Sequence, residues 1–123
     1  MKNILWIDDE PLRFEKLKGE KDLRVFFAHG FDQVNHYLNN SNVKFDLIIL
    51  DHDMPQMDGM QVCQEFLLER NIPIVLCSMN PSGRGEQKSF LTRYDDETYK
   101  YPVHDVEISR KDFKQKVIEI LFV

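Results

Sequence analysis

The sequence has little of what a membrane span, a sulfur-held metal or a nucleic-acid surface requires. No run of its 123 residues approaches the roughly 20 apolar residues that cross a bilayer. The first residues, MKNILWIDDE, carry one lysine and a short apolar run that meets acids at once. That is not the pattern of a secretory signal, and a soluble cytoplasmic protein is the expectation. The two cysteines, Cys63 and Cys77, form no CxxC pair, so their spacing fits no zinc site. In VCQEFL and IVLCS both read as small buried hydrophobes, and a disulfide is not expected in that compartment. Basic residues are in deficit, with a net charge of −5. Sequence-independent nucleic-acid binding runs on Lys and Arg neutralising phosphates, so direct duplex binding is not expected. A local site for a small anion remains compatible with that charge. Repeats, low-complexity tracts and linkers are also missing. The chain, 42% apolar, therefore reads as one domain over residues 1–123 with one core.

Apolar runs and helical patterns alternate. NILWID (3–8) is a continuous apolar run ending in acid, the mark of a strand buried on both faces. Pro11 then fits a first helical turn, with Leu12, Phe14 and Leu17 as apolar positions. LRVFFA (23–28) reads as a second strand. FDQVNHYL places Phe31, Val34 and Leu38 on one helical face. FDLIILD (45–51) is the clearest strand, and GMQVCQEFLLE follows it with Val62, Cys63, Phe66 and Leu67 on one side of a helix. IPIVLCS is a fourth strand, NPSGRG a loop and EQKSFLTRY a short helix. YPVHDVEI (101–108) is a fifth strand, which Pro102 marks as an edge. RKDFKQKVIEIL closes the series with Phe113, Val117, Ile120 and Leu121 at helical spacing. Five βα units in this order make an α/β fold, a five-stranded parallel sheet with helices on both faces. Ligands in such folds bind beyond the carboxyl ends of the strands. Asp8, Asp9, Asp51 and Ser78 all fall there.

Several carboxylates in one crevice repel one another and need a counter-charge. A divalent cation is the natural answer, and oxygen ligands suit magnesium, calcium or manganese. Asp8, Asp9 and Asp51 are the metal candidates, with Asp53 able to join through side chain or backbone. Helix capping by Asp9 or Glu10 accounts for one acid, but not for acids after two separate strands. His52 lies between Asp51 and Asp53, and reads either as a ligand, acid/base or phosphate contact or as a ring packed under the next helix. His29 and His36 read as surface or helix residues without a role.

The stretches ILWIDDE and LIILDHDMPQMDG resemble the receiver domain of bacterial response regulators, and the likeness runs the length of the chain. It implies a (βα)5 flavodoxin-like receiver fold. It also implies that Asp8 and Asp9 are the metal-binding pair, Asp51 the phosphoacceptor and Ser78 the switch hydroxyl. Receivers carry a Lys-Pro pair at strand five whose lysine binds the phosphoryl group; Val106 and Glu107 stand there instead. His104, two residues earlier and on the same strand face, either replaces that lysine or is a partly buried histidine bonded to backbone. LDHD together with Cys77-Ser78-Met79-Asn80-Pro81-Ser82-Gly83-Arg84 further resembles the cyclic-phosphate-processing receiver domains, with Cys77 where that group carries histidine.

The loop supports this reading on its own chemistry. Free N–H groups around Asn80 and Gly83, ahead of a helix, can bind an anion, and Arg84 has the bidentate fork for a phosphate; the other reading is an ordinary turn with Arg84 a solvated surface charge. The first expectation is a stand-alone domain that binds or hydrolyses a phosphate ester, a cyclic nucleotide phosphate among the candidates, with Mg2+ or Mn2+ as cofactor. Asp51, His52, Ser78 and His104 are then the catalytic candidates. The second is a single-domain response regulator with no attached DNA-binding effector. A partner kinase or small phosphodonor phosphorylates its Asp51 and thereby alters the face it offers to a partner protein. The third is a pseudo-receiver that keeps only the fold and serves as an interaction module.

Overall fold

The computed structural model describes residues 1–51, 59–67, 70, 72–77, 103–105 and 111–122. Its centre is a five-stranded parallel sheet in the order β2-β1-β3-β4-β5. The strands are β1 (Lys2–Ile7), β2 (Leu23–Ala28), β3 (Leu47–Asp51), β4 (Ile74–Cys77) and β5 (Val103–Asp105). This is the doubly wound order in which β1 and β3 lie side by side and the chain winds outward from them. β5 lies at an edge, as Pro102 beside it implied.

Alternation along the central strands splits the core in two. Leu5, Ile7, Ile48, Leu50, Ile74 and Leu76 face one way. There they meet Val34 of α1 (Phe31–Asn35) and Val62 of α2 (Gly59–Val62), with Leu67 from the π turn Cys63–Leu67 that continues α2. Ile4, Trp6, Leu47, Ile49, Val75 and Cys77 face the other way. There they meet Leu17 of the first helical segment and Phe113 and Val117 of α3 (Phe113–Phe122). Both faces are thus covered, as a parallel sheet demands.

Two local results differ from the periodicity reading. Pro11–Leu17 winds as a 3-10 helix. Its three-residue period puts Phe14 and Leu17 one above the other and leaves Leu12 74% exposed, so Leu12 is not a core position. Glu10 caps this segment, its side chain accepting from the Leu12 N–H. Gly19 turns the chain out of it at φ +83°, a left-handed conformation that a Cβ disfavours. The second difference is that α1 relaxes into π geometry over His36–Asn40. Leu38 still packs against the core, as does Phe31. The expected loop NPSGRG, the helix EQKSFLTRY and the turn after Asp51 lie outside the described residues.

The amino ends of β1 and β3 are stapled together. The Asn3 N–H donates to Asp46 Oδ2 at 2.8 Å, and Asn3 Nδ2 to the Lys44 carbonyl at 3.0 Å. The Asp46 N–H returns to the Asn3 carbonyl at 2.8 Å. The register that follows runs from Ile4 opposite Leu47 to Ile7 opposite Leu50. It brings the residues after Ile7 level with Asp51.

Candidate functional site

Asp51 is the last residue of β3. Alternation puts its side chain on the Leu47 and Ile49 face, the face covered by the first helical segment. Asp8 follows β1 directly and keeps a backbone bond to β2, its N–H donating to the Ala28 carbonyl at 3.0 Å. Both carboxylates are fully buried, and Asp9 beside them is half-buried. One ligand atom from each of Asp8, Asp9 and Asp51 lies within 4.8 Å of the others. Hard oxygen donors at this spacing fit a small divalent cation.

The structure also supplies a cation of its own. Arg13 Nη1 donates to Asp51 Oδ2 at 2.8 Å and reaches Asp8 Oδ2 at 3.4 Å. Its side chain is 23% exposed, whereas neither acid is exposed at all. Surface ion pairs contribute only about 0–1 kcal/mol. Removing one partner of a buried pair costs about 3–5 kcal/mol, because a charge is left uncompensated. The second regime governs here, since both acids are out of water.

Asp8 is held on every side. Its Oδ1 accepts the Glu10 N–H at 2.9 Å, and its Oδ2 accepts Trp6 Nε1 at 3.3 Å together with Arg13. Burial raises its carboxyl above the ordinary range; the Glu10 N–H, the Arg13 charge and the Trp6 N–H pull it down, and the neighbouring Asp9 charge pushes it up again. Burial also works against the Arg13 guanidinium, but Asp8 and Asp51 outweigh it and raise its pKa. Arg13 therefore stays charged.

Of the sequence candidates, the structure brings Asp8, Asp9 and Asp51 together. His104 lies in β5 with its backbone opposite Val75, and its side chain is outside the description. His52, Asp53, Ser78, Asn80, Gly83 and Arg84 lie outside the described residues. Two participants escaped the sequence reading, Arg13 and Trp6. The need for a counter-charge among the acids was the only signal that could have found Arg13, and sequence reasoning assigned that need to a metal alone.

A doubly wound sheet with acids gathered at the carboxyl ends of β1 and β3 defines a receiver-type domain. The response regulator receiver domain model matches residues 4–108, and the chain belongs to that family. The Heme response regulator HssR of Staphylococcus epidermidis is 25% identical over 121 residues, covering 96% of this chain and 51% of that protein. The chain thus spans about half the length of that curated relative. Solved structures share the fold. The response regulator protein TrrA from Thermotoga maritima, in complex with Mg(2+)-BeF, superposes with a TM-score of 0.66 at 23% identity, covering 98% of this chain and 100% of that one. A Burkholderia pseudomallei response regulator with a phosphorylated aspartic acid, calcium ion and citrate gives 0.68 at 16% identity, covering 98% and 66%. Among the described residues no helix is long and apolar enough to cross a membrane.

Proposed function

We propose that this chain is a phosphoacceptor receiver, in which Asp51 takes a phosphoryl group from a partner kinase or a small phosphodonor. Residues 1–123 act in this reading as one such domain. The observation that carries it is the convergence of Asp8, Asp9 and Asp51 at one end of the sheet, with Asp51 fully buried beside a cation. In the transfer, a carboxylate oxygen of Asp51 bonds to phosphorus as the bond from phosphorus to its leaving group breaks, and the donor departs with the electron pair. Asp8, Asp9 and Asp51 would hold magnesium. The ion would supply positive charge to the phosphoryl oxygens in transit. The family match supports this reading. So does the company of solved neighbours described with magnesium and a fluoroberyllate, or with a phosphorylated aspartate. Ser78 and His104 are proposed to contact the phosphoryl group. Cyclic-phosphate hydrolysis, the first expectation from the sequence, draws no support from these relatives, and the 78–84 stretch that motivated it lies outside the described residues.

The test is incubation with acetyl phosphate and magnesium, followed by intact-mass measurement. One phosphoryl adduct is expected on the native chain, with none on Asp51→Asn and none when a chelator replaces magnesium. An adduct of equal yield on Asp51→Asn would overturn the assignment.

A further inference from the structure

Arg13 draws on the same oxygens that a divalent ion would use. A carboxylate offers about four lone-pair positions. Asp8 already serves three donors, the Glu10 N–H, Trp6 Nε1 and Arg13 Nη1. Two of these are fixed, one by the backbone and the other by a fully buried indole packed on Phe113 at 5.6 Å between ring centroids. The Arg13 head alone sits on a long, partly exposed side chain, so it alone can withdraw without moving the fold. Its stronger bond, 2.8 Å, is to Asp51, another of the three convergent acids. A magnesium ion bonds oxygen at about 2.0–2.1 Å. An ion on these acids would therefore stand close to the guanidinium, and like charges at such range repel strongly.

We propose that Arg13 is an intramolecular rival for the divalent ion, holding lone pairs of Asp8 and Asp51 and so setting the ion concentration at which the pocket loads. The proposal rests on the reading of these acids as a divalent-ion site. Loading then exchanges one cation for another. It swings Arg13 outward, where its fork is available to an oxyanion on the exposed rim.

The test is a titration with magnesium alone, at fixed pH and ionic strength. Calorimetry and the fluorescence of Trp6, the single tryptophan of the chain, both report binding. Arg13→Gln and Arg13→Met should each lower Kd about tenfold or more, the factor that 1.4 kcal/mol supplies. In chelator both should melt below the native chain, and saturating magnesium should raise their Tm by more than it raises the native one. On the native chain, magnesium should move the Arg13 side-chain Nε–H resonance to that of a solvated arginine. Unchanged or weaker affinity in both folded variants would overturn the proposal, as would an unmoved resonance at saturation. A chain that binds magnesium but accepts no phosphoryl group sinks the phosphoacceptor reading and leaves Arg13's role standing. A chain that binds no divalent ion, native or variant, sinks this one.

Discussion

Replacing Trp6 by Phe probes the pocket from underneath. The indole is fully buried, packs at a 40° tilt against Phe113, and donates to Asp8 Oδ2 at 3.3 Å. Phenylalanine keeps the aromatic contact but loses the donor and part of the ring. The hydrogen bond goes to a charged group, worth about 1.5–3 kcal/mol, and its length favours roughly 2 kcal/mol. The shorter ring leaves a void of roughly 40 Å3, which at about 24 cal/mol per Å3 costs about 1 kcal/mol. The expected loss at neutral pH is therefore about 3 kcal/mol. The two parts separate by pH. Charge-assisted bonds are about twice as strong as neutral ones, so protonating Asp8 should remove about 1 kcal/mol of the loss and leave the void unaffected. Burial has raised the Asp8 carboxyl above the ordinary range, so Asp8 takes up its proton earlier on acidification than an exposed aspartate would. Urea unfolding followed by circular dichroism at neutral pH and at a pH low enough to protonate Asp8, in chelator, measures both values. A loss of the same size at both pH values, or one below about 1 kcal/mol at neutral pH, would refute the charged bond between indole and carboxylate.

Alongside the phosphorylation and magnesium experiments on Asp51 and Arg13, two further outcomes are expected. Asp8 titrates above its ordinary value of 3.8, chiefly through burial, so the folded state holds this proton more tightly than the unfolded chain. The native chain should accordingly gain stability relative to Asp8→Asn as pH falls through the raised value, with the gain complete below 3.8 and lost again as pH rises; paired urea midpoints in chelator check the sign, and a native chain that loses ground on acidification contradicts it. Arg70→Ala should cost about 1–2 kcal/mol, because Arg70 Nε donates to the Phe66 carbonyl at 2.9 Å, Nη1 to the Leu38 carbonyl at 3.1 Å and Nη2 to Asn39 Oδ1, tying two helical ends together. A thermal melt within 1 °C of the native chain would show those bonds to be replaced by water at no loss.

Much of the fold was legible because a parallel sheet writes itself as apolar runs. LRVFFA coincides with β2 and FDLIILD contains β3; β3 is buried at every position because both its faces are covered, whereas β2, at the sheet edge, exposes Arg24. Phe113 and Val117 were readable as the buried side of α3 for the complementary reason, the helical period of one face. The first helical segment was less legible. Leu12 fits an α-helical stripe as well as Phe14 does, and only the tighter winding decides which of them is buried. The acids stood out because hydrophobic strands ending in Asp are costly unless something neutralises them. Arg13 did not stand out. A single arginine on a short amphipathic stretch looks like any solvated charge, and its bond to Asp51 joins residues 38 apart in sequence. Trp6 was equally silent, since a tryptophan in an apolar strand is explained by packing alone.

Asn3 and Asp46 never approach the acidic pocket, yet they calibrate it from the opposite end of the sheet. Side chains in a strand alternate, so sliding β3 by one residue against β1 would turn Asp51 to the wrong side. Anyone transplanting this pocket onto another scaffold must therefore carry the distant polar clasp along with the acids, for it is the clasp that keeps the two strands in step.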